Sequence, residues 1–335
     1  MVVGMLQMPR GESVDFYRSF GVMHHIQEIT RLYEMQHKGT TFAKYFQCLD
    51  ILFIDRRFLS ECRELIKAAK QQGIKVVIDV DDDLFNIGQY HDALHLIGAP
   101  NVQDSIKESI GMADMVIVTT EALKRLYGEY NPNIHIVPNA WNDYAFPQMA
   151  PIKTRKGKPR IAWRGSNSHR RDIQLVSKSI NASLDKAAWS FYGLMPDCID
   201  PNVMYIPFQA LNTFFSTFSK NAPDYVAVPL ENTQFNQAKS NIAWIEATVL
   251  CGAVAIAPID LPEFDKPCVL RYKGPRGFDT VLNAVIGGRI DREDMVMQSQ
   301  KYISENLRLS EINKERARLF HMILQPAETK ELQPA

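Results

Sequence analysis

The sequence predicts an α/β protein built from two doubly wound, Rossmann-like domains with a cleft between them. Three observations carry this. At 335 residues the chain exceeds one ordinary hydrophobic core. Short β-rich runs alternate with longer amphipathic segments, the pattern of a parallel sheet covered by helices. Between two such series lies Pro147 to Pro159 (PQMAPIKTRKGKP), rich in proline and lysine and without apolar periodicity, as a linker requires.

In the first series, Asp50 to Asp55 (DILFID) reads as a strand, followed by a helix from Ser60 to Gln72 with Ser60 as N-cap and Gly73 as its stop. Lys75 to Asp79, Met115 to Val118 and His135 to Val137 are further strands, and Glu121 to Tyr127 is a short helix between the last two. After the linker, Arg160 to Trp163 is a strand, Asp172 to Leu184 a helix and Trp189 to Tyr192 a strand. Tyr225 to Pro229, Val254 to Ala257 and Val269 to Arg271 continue the strands. Helices over Arg292 to Asn306 and Ser310 to Ile323 close the chain. The implied division is a first domain over 1–148, a linker over 149–159, a second domain over 160–305, and a segment over 306–335 made of a helix packing back and a frayed tail. No internal repeat is present, so the halves match in architecture only.

Composition narrows the function classes. Lysine plus arginine equals aspartate plus glutamate, 38 each, so no net field favours nucleic acid or an acidic membrane surface. The five cysteines, with no C-x-x-C pair, signal neither a zinc knuckle nor a redox motif and fit reduced thiols in a cytoplasmic protein. The longest apolar stretch, Val249 to Ile259, is too short to span a bilayer and is broken by Gly252 and Pro258. MVVGMLQMPRGE lacks the basic and apolar regions of a secretion signal.

Three constellations carry chemistry. In Val76 to Phe85 (VVIDVDDDLF), Asp79, Asp81, Asp82 and Asp83 crowd the end of a buried strand, where α/β sheets place ligands. They could bind a metal, act as base or hydrogen-bond sugar hydroxyls; a capped acidic loop is the alternative, though crowded carboxylates need compensation. In Ile161 to Asp172 (IAWRGSNSHRRD), a strand enters a Gly-Ser-Asn-Ser turn carrying Arg164, His169, Arg170 and Arg171. Small residues admit a ligand to the backbone and the cations suit phosphate; a plain basic βα turn reads equally well. Neither a Walker loop nor G-x-G-x-x-G is present. In Phe235 to Gly252 (FNQAKSNIAWIEATVLCG), a helix over Lys239 to Leu250 places Lys239 and Glu246 on one face about 10 Å apart. Lys239 in the first turn suits a diphosphate, and Glu246 suits ribose hydroxyls. A solvated pair on a surface helix is the alternative. A fourth segment, Ala113 to Phe146, says only α/β by itself. His24, His25, His91 and His95 form no metal-ligand pattern and suit core or surface roles.

Taken in order, these segments resemble the GT-B glycosyltransferases of family 4, including bacterial and phage-encoded ones. ADMVIVTTEALKRLY…IHIVPNAWNDYAF is similar to the family's strand, Thr-rich turn and helix, then a strand ending in Pro-Asn near the domain junction. IAWRGSNSHRRDI resembles the first strand and glycine turn of its donor domain. DYVAVPLENTQFNQAKSNIAWIEATVLCGAVAIAP resembles its nucleotide-sugar segment, and VVIDVDDDLF an acidic strand end of some members. The resemblance covers roughly residues 45 to 260. It implies that Glu246 binds the donor ribose and that Lys239 and Ser240 contact donor phosphate and sugar. It likewise puts Gly165 and Ser166 in the turn beside the diphosphate, with Arg164, His169 and Arg170 as cationic partners. Two departures stand out. The family often has two glutamates with seven residues between them, and Ala238 occupies the first position. The glycine-rich loop near the N-terminus is replaced by GMLQMPRGES, with only Gly4 and Gly11.

The implied activity is retaining transfer from a nucleoside-diphosphate sugar, with no cofactor and no divalent metal required. The first domain would hold the acceptor, with Asp81, Asp82 and Asp83 as catalytic candidates near the reacting centre. Polysaccharide, lipid carrier, protein and modified DNA base are all acceptors to consider. For DNA, Lys153, Arg155, Lys156 and Lys158 form the cationic cluster. The alternatives are a HAD-type phosphohydrolase with Asp79 as nucleophile and Asp81 as acid/base, and a non-catalytic GT-B-like binding protein.

Overall fold

The protein is described by a computed structural model over residues 1–6, 12–35 and 46–325. The tail beyond residue 325, residues 7–11 of GMLQMPRGES and residues 36–45 lie outside the described residues. Two six-stranded sheets, all parallel, form the frame.

The first sheet comprises β1 (Val2–Leu6), β2 (Arg31–Met35), β3 (Ile51–Asp55), β4 (Lys75–Val80), β5 (Met115–Val118) and β6 (Ile134–Ile136), in the order β2-β1-β3-β4-β5-β6. Its central strands read as near-continuous apolar runs because both faces are covered. The two-residue period splits them cleanly. Leu52, Ile54, Val76, Ile78, Val116 and Val118 face one core, and Ile51, Phe53, Val77, Met115 and Ile117 the other. The last helix, Leu309–Leu324, contributes Leu319 and Phe320 to that second face. The chain returns there through a parallel bridge in which Leu309 N donates to Trp141 O at 2.8 Å and Trp141 N to Leu307 O at 2.7 Å.

The second sheet comprises β7 (Arg160–Gly165), β8 (Ala188–Gly193), β9 (Met204–Pro207), β10 (Tyr225–Ala227), β11 (Val254–Pro258) and β12 (Leu270–Tyr272), in the order β12-β11-β10-β7-β8-β9. Counted within its own half this is the Rossmann order 3-2-1-4-5-6. Residues 147–159, between the sheets, form neither helix nor strand.

Several expected elements change shape. The helix expected from Ser60 runs Arg63–Gln71. Asp55 instead caps a tight turn over Arg56–Phe58, and Cys62, not Ser60, stands at the N-cap of the helix that follows. Gly73 does end that helix region, at φ +76°. The helix expected over Asp172 to Leu184 is two short ones, Arg170–Gln174 and Ser177–Asn181. The helix expected over Lys239 to Leu250 is also broken. Gln234–Gln237, capped by Thr233, stops short of Lys239, and a second helix starts at Ile242 and continues as a π-turn over Ala247–Cys251. Gly252, at φ +59°, ends it in the left-handed conformation that glycine adopts freely. β1, β2 and β9, and the helices Pro100–Met112, Leu211–Asn221 and Gly274–Ile286, have no counterpart in the sequence reading.

Candidate donor site and its cross-domain closure

β7 and β10 are neighbours, yet the chain leaves β7 toward β8 and β10 toward β11. Such a reversal opens a crevice at the C-terminal ends of the strands, where open α/β sheets bind ligands. Here the crevice is lined by Trp163, Arg164, His169, Leu230, Lys239 and Ser240. Four residues expected near the donor therefore converge on one place, Arg164, His169, Lys239 and Ser240, and Gly165 directly follows the first of them.

Gly165 is required by packing. A Cβ there would stand 2.5 Å from the buried Trp163 ring and 3.2 Å from His169 Cβ. His169 Nδ1 lies 2.8 Å from Asp172 Oδ2, while Asp172 Oδ1 accepts from Glu231 N and Asn236 Nδ2, both at 2.8 Å. That buried carboxylate ties the glycine turn to the loop after β10. Ser166 Oγ is 2.8 Å from Ser168 Oγ, so it braces the turn. Arg170 pairs with the exposed Asp197. Arg170 is not among the residues that line the crevice.

Arg164 Nε stands 2.7 Å from Glu246 Oε2, and Tyr17 Oη donates to Glu246 Oε1 at 2.9 Å. Glu246 is only 5% exposed. Burial pushes its carboxyl above the usual range, with Arg164 and Tyr17 pulling the other way. Burial and the adjacent negative charge hold the Tyr17 phenol well above its ordinary value.

Lys239 precedes its helix and turns to the other domain. Its Nζ donates to both oxygens of Asp82 at 2.9 Å and sits 4.1 Å from the Phe235 ring centroid. Lys239 and Glu246 therefore do not share a helix face as the spacing implied, since the chain breaks between Ala238 and Ile242. They remain on adjoining parts of one wall. Ser240 Oγ accepts from Asn139 Nδ2 at 2.8 Å, and Thr120 Oγ1 donates to Ala238 O at 3.2 Å. Side chains of the first sheet's loops thus clasp this segment at several points.

The four aspartates separate into different jobs. Asp79, 1% exposed, takes two bonds from Arg18 at 2.8 Å, and Arg18 Nη1 also reaches Val137 O and Asn139 Oδ1. Burial raises the Asp79 carboxyl while Arg18 opposes it, and Arg316 nearby is pushed down to about 9 by burial and by Arg18. A carboxylate sealed this way offers no open approach for nucleophilic attack, which speaks against the phosphohydrolase reading. Asp83 caps its own turn, accepting from Phe85 N, Asn86 N and Asn86 Nδ2. These bonds give Asp83, expected as a catalytic candidate, a task within its own turn. Asp81 lies 2.5 Å from Arg56 Nε. Burial alone would raise Asp82, yet Lys239 and Arg56 together hold it below the usual carboxylate range. His91, among the histidines without a pattern, belongs beside this group. Its Nδ1 accepts from Ala93 N at 3.1 Å, and its ring meets Phe235 edge-on at 5.5 Å.

Tyr17, Arg56 and Arg18 were not singled out from sequence, and Asn139 was marked only as part of the Pro-Asn pair near the domain junction. Arg56 carried a usable signal, since it follows a strand end beside four crowded carboxylates that need cations. Tyr17 carried none, because its partner lies 229 residues away. Lys153, Arg155, Lys156 and Lys158 precede β7 at the N-terminal end of the sheet, opposite the crevice, and Arg155 Nη1 is spent on Ala222 O at 2.7 Å. Among the described residues no cluster of His, Cys, Asp and Glu is arranged to hold a metal ion, and no helix is long and apolar enough to cross a membrane.

No known family profile matches the chain, and neither does the sequence of any curated protein. Solved structures do match. HepE of Anabaena, in complex with UDP, aligns with TM-score 0.66 and 12% identity over 96% of this chain and 100% of its own. A glycosyltransferase of Rickettsia africae aligns with TM-score 0.66 and 10% identity over 97% and 99%. An alpha-glucosyltransferase in complex with UDP and a 13-mer DNA containing an HMU base aligns with TM-score 0.64 and 11% identity over 96% and 98%. Likeness over almost the whole of both chains establishes the fold, the GT-B arrangement of two Rossmann-like domains.

Proposed function

We propose that this protein is a glycosyltransferase that moves a sugar, with retention, from a nucleoside-diphosphate sugar to an acceptor held by the first domain. The observation that carries the reading is the meeting of Arg164, Lys239 and Ser240 at the crevice between β7 and β10, with Glu246 directly behind Arg164. UDP in two similar structures supports a nucleoside diphosphate as the donor's leaving group.

As the sugar–phosphate bond breaks, negative charge grows on the departing diphosphate. Arg164 and Lys239 are placed to stabilise it, and fixed cations in a crevice do so without reorganising. Glu246 would take the ribose hydroxyls once Tyr17 yields Oε1. Asp82 reaches from the first domain to Lys239, and with Asp81, held by Arg56 beside it, would face the acceptor. Asp83 has no part. The acceptor classes remain polysaccharide, lipid carrier, protein or modified DNA base, and the place of work the cytoplasm, in keeping with five free cysteines. Ala238, where the resembling family often has glutamate, favours one other reading, a binding protein without turnover.

Binding of UDP and of uridine to two variants tests the donor site. Lys239→Ala should weaken UDP roughly ten- to hundredfold, the loss of a charge-assisted contact of about 1.5–3 kcal/mol, and spare uridine. Glu246→Gln should weaken both. UDP binding unchanged in either variant would mean that the donor site lies elsewhere. Release of UDP from a UDP-sugar in the presence of acceptor separates an enzyme from a binding protein.

A further inference from the structure

The Lys239–Asp82 pair asks more of Asp82 than a surface ion pair would. Asp82 is 8% exposed, stands just past the end of β4 in the first domain, and offers both oxygens at 2.9 Å to a lysine of the second. Lys239 is at the same time one of the residues lining the crevice. An ammonium has three N–H donors, and two of them are spent on Asp82, across the cleft.

We propose that Asp82 is a positioning residue for donor binding: it holds Lys239 from across the cleft and gives it up to the donor's diphosphate. This rests on the donor-site reading above. Three features make the exchange workable. The Phe235 ring supports the ammonium from within the second domain, 4.1 Å away, so Lys239 keeps its place when Asp82 lets go. Arg56 Nη1 already stands 4.0 Å from Asp82 Oδ2, so the released carboxylate is not a buried charge without a partner. A diphosphate carries more negative charge than one carboxylate, so it competes well for the same cation. Asp82 is also left beside Arg56 and Asp81, on the acceptor side, only after the donor has arrived.

Isothermal titration of UDP and uridine into four proteins tests this: the parent, Asp82→Asn, Lys239→Ala and the double variant. Removing the competitor should tighten UDP at least fivefold in Asp82→Asn and leave uridine unchanged. The double variant should bind UDP as weakly as Lys239→Ala, because the gain runs through the ammonium. A merely structural Asp82 would shift both ligands or neither, and would not lose its effect in the Lys239→Ala background. If Asp82→Asn does not fold, Asp82→Ser carries the same comparison. Weakened UDP in Lys239→Ala together with no tightening in the Asp82 variant overturns the exchange and leaves the donor site standing. Unchanged UDP binding in Lys239→Ala overturns both.

Discussion

Tyr17 Oη donates a 2.9 Å hydrogen bond to Glu246 Oε1, joining a helix that precedes β2 to the helix that feeds β11. The bond closes the cleft from the first domain, and Arg164 holds the other carboxylate oxygen from the second. Removing the hydroxyl leaves a buried oxygen unsatisfied. Tyr17→Phe should therefore lose about 1–3 kcal/mol of stability, read by urea denaturation. Its uridine affinity should not fall, because the position that ribose needs has been vacated. A fall in uridine affinity with unchanged stability would place Tyr17 on the ligand instead.

The two cross-domain carboxylates should give opposite pH slopes. Asp82 is depressed in the folded state. Its contribution is present above the ordinary value of about 3.9 and lost as pH falls through the lower folded value. The stability gap between parent and Asp82→Asn should thus shrink on acidification below about pH 4. Glu246 is raised, first by burial. Its contribution is present below the unfolded value of about 4.3 and lost as pH rises through the folded one. Parent stability relative to Glu246→Gln should drop over that rise. Parallel slopes for the two pairs would contradict the assigned environments.

The buried Arg18–Asp79 pair predicts a stability effect where a catalytic aspartate would give an activity effect. With Arg316 also nearby, Asp79→Asn strands two buried guanidinium groups. Breaking such a pair costs about 3–5 kcal/mol, so the variant should melt far below the parent or fail to fold. A well-folded Asp79→Asn protein with no activity would argue that Asp79 takes part in chemistry.

How far the sequence reaches can be read on single residues. The central strands were legible because both faces are buried, so apolar runs such as Val76 to Ile78 have no other use. β2 and β9 were not: Arg31 and Glu34 interrupt the first, and in the second only Ile206 is buried. Lys239 and Glu246 were found as a pair by an unbroken helix that does not exist. Both nonetheless lie at the cleft, since residue types suited to phosphate and ribose do not depend on the helix phase. What no local pattern could supply was the other half of each pair, Asp82 for Lys239 and Tyr17 for Glu246, because partners across a cleft share no sequence window.

Turnover should persist in EDTA. The acidic strand end spends its charge on cations of the chain itself, Asp81 on Arg56 and Asp82 on Lys239. Asp83 is occupied by the backbone of Phe85 and Asn86. The leaving diphosphate would meet Arg164 and Lys239 in place of a metal. Loss of UDP release in EDTA, restored by magnesium or manganese, would show that these carboxylates exchange their cations for a divalent ion.

Gly165 offers the most local test of the crevice. Alanine there would put a methyl 2.5 Å from Trp163 Cζ2, and that ring is almost fully buried at 2% exposure, so it has no room to retreat. The backbone must move instead, and with it Gly193, whose own Cβ position stands 2.4 Å from Gly165 O. Overpacking of this kind costs about 1–3 kcal/mol, so Gly165→Ala should melt several degrees below the parent. The same shift displaces Arg164, one residue back, from the mouth of the crevice, so UDP should weaken more than uridine. A variant that melts lower but binds UDP as the parent does would show that the turn supports the sheet without shaping the diphosphate site.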